Sequence, residues 1–248
     1  MSEVVNYDLM INGFPVKATY VCKDIEEIFM PLIDHMIELH KQYGRRILVF
    51  LAAPPAVGKS TLAEMLAVFA KEKRNCSIQA IGLDGFHYPT AYIQEHTVER
   101  DGMEVPMRDV KGCPETFDIK KITEALRQMK TQDIRWPIYD RNLHDVVADQ
   151  IEVKQDIILI EGNWLLLDET GWRDLKALCD YSIFIRADES LLKERLINRK
   201  MQGGLSYEEA LAFYLNSDGR NVIRVLENSQ RADLTLTLSN ALTYEMED

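Results

Sequence analysis

The chain has 248 residues, 46% of them hydrophobic and 28% charged, with a formal net charge of −11. That length allows one large domain with a sizeable core, and the acidic balance excludes a general role on nucleic acid or on an anionic membrane surface. No stretch reaches the roughly 18 apolar residues that a membrane span needs, and the polar, acidic start MSEVVNYDLM is not expected to be a signal peptide. The four cysteines, Cys22, Cys76, Cys113 and Cys179, lie far apart with no Cys-x-x-Cys pair. They are expected to be reduced thiols of a cytoplasmic protein.

In chain order, residues 6–11 and 14–21 flank Asn12-Gly13, a two-residue hairpin signal. Asp24 with Glu27 predicts a capped helix start, and an apolar face runs from Ile25 to Ile37 before Gly44 stops it. Pro31 inside that run implies a kink or a second helix start. The apolar run 47–52 then breaks into a Pro-containing loop ending Gly58-Lys59-Ser60-Thr61, with an amphipathic helix over 59–71. Residues 77–83 predict a second buried strand ending at Asp84, and 90–114 a polar loop. Asp118 caps a helix bearing Ile119, Ile122, Leu126 and Met129. The segment 134–144 is short and dense in polar groups. Buried strands are expected at 156–160, ending at Glu161, and at 180–185, which leads through Asp188 into a helix carrying Arg195 and Arg199. Gly203-Gly204 breaks that helix, and Ser206 with Glu209 forms a capping box for the next. Ser217-Asp218-Gly219 interrupts it, a further helix runs to about Asn228, and 232–238 is the last strand.

Apolar strands alternating with helices imply an α/β fold of three layers, a central parallel sheet with helices on both faces. The whole chain reads as a single domain. Residues 1–44 are a hairpin-and-helix appendage, 45–248 the core, and the helices near 190–220 a lid. In such folds ligands bind outside the carboxyl ends of the strands, where the loop after 52, Asp84 and Glu161 all fall.

Strand, tight loop and helix starting at Lys-Ser form the context of a phosphate-binding P-loop. Ala53, Pro54, Pro55, Ala56, Val57, Gly58, Lys59, Ser60 and Thr61 are its candidate nucleotide-binding residues. Loop and first-turn N–H groups would converge on phosphate oxygens, Lys59 would reach the terminal phosphates, and the Ser60 hydroxyl would ligate magnesium. The pattern departs at Ala53, where glycine would let the backbone take positive φ and approach phosphate with no Cβ in the way. Asp84 is placed to accept a proton from an acceptor hydroxyl or to ligate magnesium; a plain Asp-Gly turn is the alternative. Glu161 stands where a carboxylate would hold the water shell of magnesium. Arg195 and Arg199 share a helix face at i, i+4 and suit a lid closing over a transferring phosphate, although a solvated basic face has the same spacing. Tyr139, Arg141 and His144 form a polar-aromatic cluster suited to ligand recognition. No His-Glu-x-x-His, cysteine metal cluster or Gly-x-Ser-x-Gly supplies a hydrolytic site.

Several stretches, spanning roughly residues 45–238, together resemble the phosphoribulokinase/uridine kinase family of P-loop kinases, which includes type I pantothenate kinase. AVGKST at 56–61 looks like the pantothenate kinase loop. LDGFHYP at 83–89 is similar to the family's second-strand motif with its base aspartate, so His87 and Tyr88 fall beside the acceptor. PETFD at 114–118 resembles a helix-opening motif of uridine kinases. Pro137-Ile138-Tyr139-Asp140 with His144 resembles a uridine kinase motif whose Tyr and His contact the acceptor. ILIEGNW at 158–164 resembles the third-strand Glu-Gly motif, and Arg231-Ala232-Asp233-Leu234 the start of the last strand. The combination looks closest to a bacterial branch labelled nucleoside/nucleotide kinase-like or fructose transport system kinase-like.

The resemblance implies ATP and Mg2+ as cofactors and a small-molecule acceptor carrying a sugar, nucleoside or pantothenate-type hydroxyl. Asp84 would be the base, Lys59 with Arg195 or Arg199 the charge stabilisers, and Ser60, Glu161 and Asp84 the metal holders. Arg141 has no counterpart in the uridine kinase motif. Together with Arg108 and Lys111 it favours an acidic or phosphorylated acceptor. Neither nucleic acid nor membrane is an expected partner, and a homodimer is compatible with the sequence. The alternative to a kinase is a nucleotide-binding regulatory protein with little or no transfer activity, of which Ala53 would be the symptom.

Overall fold

In the computed structural model, which describes residues 3–11, 13–100 and 102–247, the first two segments pair as an antiparallel hairpin. They are β1 (Val4–Ile11) and β2 (Phe14–Val21). Gly13 turns with φ 82°; its expected turn partner Asn12 lies outside the described residues. Tyr7 of the hairpin meets Phe69 edge-on at 5.3 Å.

The first helical run departs from expectation at its start. α1 (Cys22–Asp24) follows Val21 with no side-chain cap, and Asp24 is not an N-cap. It is buried, and its carboxylate accepts the N–H of Tyr244 at 2.9 Å. That long-range bond outcompetes local capping. A π turn at Ile25–Phe29 joins α1 to α2 (Met30–Tyr43). Pro31, in the first turn of α2, has no N–H to give, and the wider π ring just before it lets the helix restart there. Gly44 closes the helix with φ 61°.

The core follows as β3 (Ile47–Ala52), α3 (Lys59–Arg74) and β4 (Ile78–Gly82). Where a polar loop was expected, the chain forms α4 (Thr90–Glu95) and an antiparallel pair, β5 (Thr97–Arg100) with β6 (Met103–Pro106). The elements are too short to show a period. Asp118 caps α5 (Ile119–Met129) by accepting the Lys121 N–H at 3.1 Å. The polar segment after it is β7 (Ile134–Asp140), folded back on β8 (Asp145–Val153), which the sequence reading had missed. Then come β9 (Ile157–Gly162), β10 (Tyr181–Ala187), α6 (Glu189–Gln202) and α7 (Tyr207–Phe213), the last with the expected Ser206/Glu209 capping box. Ser217-Asp218-Gly219 does not interrupt the helix. A π turn at Tyr214–Asp218 runs directly into α8 (Gly219–Asn228). Gly219 is required there because a Cβ would come within 2.8 Å of the Tyr214 ring. The chain ends in β11 (Leu234–Leu238) and β12 (Tyr244–Glu247).

The main sheet has the order β12-β11-β10-β3-β9-β4. All neighbours are parallel except β12, an unanticipated edge strand antiparallel to β11. The P-loop strand β3 is central and buried at every position. Its side chains alternate between two cores: Ile47, Val49 and Leu51 join α2 and α3, while Leu48, Phe50 and Ala52 join α5 and the indoles of Trp136 and Trp164. This alternation makes the three layers. Among the described residues no helix is long and apolar enough to cross a membrane, and the four cysteines are free thiols.

Aspartates fasten the starts of two strands. Asp233 accepts the N–H and the hydroxyl of Ser182 at 2.8 and 2.6 Å. Asp180 accepts the Leu48 N–H at 2.9 Å and a two-pronged bond from Arg45. Burial pushes the Asp180 carboxyl up, but Arg45 and the Leu48 N–H outweigh it and hold the group below the usual aspartate range. A depressed folded pKa gives stability that is present above the unfolded value and lost as pH falls through the folded one. Asp180→Ala is therefore expected to lower stability by about 1–3 kcal/mol at neutral pH, chiefly through the Leu48 N–H, since the Arg45 side chain is half exposed. Urea unfolding should show the gap between wild type and variant closing below about pH 3; a gap independent of pH would refute the account.

Candidate active site

The carboxyl ends of β3, β4 and β9 lie in register, with Glu161 opposite both Leu51 and Gly82. Each strand hands its next residues to the same edge. After β3 the loop turns left-handed at Ala56 (φ 66°) and Gly58 (φ 100°), not at Ala53. Ala53 is fully buried, its methyl in the core with Val57 and Leu62. The residue that breaks the glycine pattern thus needs no left-handed backbone and turns its Cβ into the core. Pro54 and Pro55 are buried as well. No side chain caps the N-terminus of α3, so the first-turn amides of Lys59, Ser60 and Thr61 face the loop mouth with the positive end of the helix dipole. Arg195, from α6, reaches back to the loop and donates to the carbonyls of Ala56 and Val57, at 3.1 Å each. Arg199, one turn further on, is exposed, and its charge is felt by Asp218 rather than by the loop.

Glu161 is the buried charge of the site, only 8% exposed. Its Oε1 accepts the Ser60 hydroxyl at 2.6 Å, and its Oε2 lies 3.8 Å from the Lys59 ammonium. Burial raises its carboxyl above the usual range. Lys59, Ser60 and Arg141 pull against that rise, and the charge of Asp84 adds to it. Gly82 leaves it room, since a Cβ there would sit 3.2 Å from Oε1. Asp84 is the second residue of a 3-10 turn (Leu83–Phe86) at the end of β4 and is exposed to a cleft that it shares with Glu161, Tyr139 and Arg141. A serine hydroxyl and two carboxylates supply the hard oxygen donors that suit Mg2+. Among the described residues no cluster of three or more His, Cys, Asp or Glu forms a ready-made metal cage.

The β7–β8 hairpin forms the other wall. It docks on the β4 exit through main-chain contact. A Cβ on Gly85 would lie 2.2 Å from the Pro137 carbonyl oxygen, so only glycine fits, and the Trp136 indole N–H donates to the Gly82 carbonyl at 2.8 Å. Tyr139 and Arg141 are thereby brought to the cleft. His144 is brought only to its neighbourhood. It sits exposed at the hairpin tip with φ 52°, does not line the cleft, and contributes its carbonyl, which accepts from Thr90 Oγ1 at 2.8 Å.

His87 packs on Phe117 at 3.7 Å, and its Nδ1 lies 2.8 Å from the Asp84 carbonyl, which makes that nitrogen the protonated donor. Burial holds the ring's pKa below the usual histidine range, so it is neutral at pH 7. Tyr88 stacks on Tyr92 at 4.4 Å, away from the cleft lining. Arg108 is exposed beside Asp109 at 3.5 Å. Two supports differ from expectation: Lys111 was expected as a cation favouring an acidic acceptor, and Gly85 and Trp136 had no expected role. Lys111 donates to the Tyr139 hydroxyl at 3.0 Å and lies 4.8 Å from its ring centroid, and Gly85 and Trp136 anchor the hairpin. LDGFHYP contained Gly85, but its partner strand could not be read beside it.

This sheet order, loop and set of strand-end carboxylates define a P-loop kinase. No protein-family model matches the chain. Over 240 residues it is 42% identical to the uncharacterized protein YggC of Escherichia coli (strain K12), covering 96% of this chain and 97% of that one. Over 215 residues it is 32% identical to a candidate uridine kinase of Schizosaccharomyces pombe (strain 972), covering 83% and 88%. Among solved structures, a candidate fructose transport system kinase of Silicibacter sp. TM1040 matches with TM-score 0.76 at 30% identity, covering 84% and 98%. The chain belongs to the phosphoribulokinase/uridine kinase family of P-loop kinases.

Gly85→Ala should force the hairpin off the β4 exit, at a loss of about 1–3 kcal/mol. Thermal unfolding would register it, whereas a variant as stable as wild type would show that the seam yields freely.

Proposed function

We propose that the protein transfers the γ-phosphoryl group of ATP, as its Mg2+ complex, to a hydroxyl of a small metabolite. One observation carries the reading: the P-loop, Asp84 and Glu161 leave three neighbouring strands at one edge, and Asp84 opens to a cleft whose far wall is the Tyr139–Arg141 segment. The names of two relatives, a candidate uridine kinase and a candidate fructose transport system kinase, agree with an alcohol as acceptor.

In this reading the loop amides and Lys59 hold the phosphates of the nucleotide, while Ser60, Glu161 and Asp84 hold Mg2+, which neutralises phosphate charge when bound. Asp84 accepts the proton of the acceptor hydroxyl as its oxygen bonds to the γ-phosphorus. The bond from that phosphorus to the bridging oxygen breaks, and its electron pair leaves with ADP. Lys59 stabilises the developing charge, assisted by Arg195 in preference to Arg199, because Arg195 already touches the loop. Arg199 could act only from a lid closed further over the site. His87, held neutral, is read as fixing the Asp84 main chain, and Tyr139 as facing the acceptor. The regulatory alternative drew on Ala53, and a buried methyl outside the left-handed turns lends it no support.

Calorimetry with ATP·Mg2+, followed by ADP release over a panel of sugars, nucleosides, pantothenate and their phosphates, tests the proposal. Asp84→Asn is expected to cut acceptor-stimulated release about 100- to 10,000-fold. Absence of nucleotide binding at millimolar ATP, or acceptor-stimulated turnover indifferent to Asp84, would overturn it.

A further inference from the structure

The loops around the cleft carry three cations that could read an acceptor, and the structure separates them. Arg108 is solvent-facing beside Asp109. Lys111 is committed to the hairpin, with its ammonium 3.0 Å from the Tyr139 hydroxyl, 3.4 Å from the His144 carbonyl and 3.5 Å from Thr90 Oγ1. Arg141 alone of the three lines the cleft with Asp84.

Two carboxylates flank Arg141 in the hairpin, yet neither pairs with it. Asp140 is turned to the N–H groups of Asn142 and Leu143 at 2.8 and 3.1 Å. Asp145 is turned to those of Thr90 and Val146, at 2.8 Å each. Glu161, across the cleft, is already bonded to Ser60 and faced by Lys59; it feels the Arg141 charge but forms no ion pair with it. Among the described residues Arg141 makes no hydrogen bond or ion pair. In a chain of net charge −11, an exposed guanidinium with no hydrogen bond or ion pair, between acids that each turn Oδ1 to backbone amides, is a fork that can take an anion. The Tyr139 ring, the aromatic wall of the cleft, already carries the Lys111 ammonium against it at 4.8 Å.

We infer that the acceptor is a small hydroxy compound bearing an anionic group, a carboxylate or a phosphate, which Arg141 binds while Asp84 faces the hydroxyl. This rests on the kinase reading for the hydroxyl, but the anion preference is separable from turnover. Arg141 is then a specificity-determining residue, and Lys111 a positioning residue acting through Tyr139.

The test uses the full chain saturated with ADP·Mg2+, so that the P-loop is filled and no transfer occurs. Calorimetry compares matched pairs, glycerate against glycerol and ribose 5-phosphate against ribose. At least one anionic member should bind roughly 10- to 100-fold more tightly than its neutral partner, with an advantage that shrinks as salt rises. Which pair shows it distinguishes a carboxylate from a phosphate. Arg141→Gln should abolish the advantage and Arg141→Lys keep part of it, with ADP affinity unchanged in both. Equal binding within both pairs, or an advantage that survives Arg141→Gln, would overturn the inference. Failure of Asp84→Asn to slow turnover would instead remove the kinase mechanism and leave this preference standing.

Discussion

A buried carboxylate at the end of an apolar strand organises this molecule. Five residues of β9 before and beside Glu161 are fully apolar or glycine and sit in the sheet's interior, where an ionised group is expensive unless partnered. Ser60 and Lys59 supply the partners, and both come from the first turn of α3. The carboxylate therefore draws the P-loop helix against β9 and holds the lysine inward. Its raised proton affinity marks incomplete compensation.

What was legible in the sequence followed from locality. Gly58-Lys59-Ser60 between a strand and a helix, Asp84 and Glu161 at strand ends, and the Ser206/Glu209 box are patterns complete within a few residues. Their chemistry could be read without knowing what lay opposite. The misses needed a distant partner. Asp24 reads as a cap until Tyr244, 220 positions away, takes its carboxylate. The segment 134–144 reads as polar coil until Val146 and Val153 pair with it. Ser217-Asp218-Gly219 reads as a break until the Tyr214 ring shows why glycine stands in a helix. His144 looked like an acceptor contact by its motif, but its left-handed backbone commits its carbonyl to Thr90 and leaves the ring outside the cleft.

The two halves of the site are built by different means. The donor half is a continuous stretch, strand to loop to helix, whose geometry comes from main-chain torsions at Ala56 and Gly58. The acceptor half is assembled from segments 28 to 54 residues apart, joined by Trp136 to Gly82, Thr90 to His144, and Lys111 to Tyr139. The buried Trp136 and Trp164 stand behind this wall, so its frame rests on the same core that carries β3 and β9.

The seam between Gly85 and Pro137 joins backbone to backbone, with no side chain between them. A joint of that kind is indifferent to what the hairpin carries at its end. Residues 141–143 lie beyond that joint, where the approach of the hairpin to the β4 exit is set by peptide planes. Divergence in acceptor choice can then proceed at the tip while the machinery for phosphate stays fixed, and a chain with a familiar loop can hold an unfamiliar substrate.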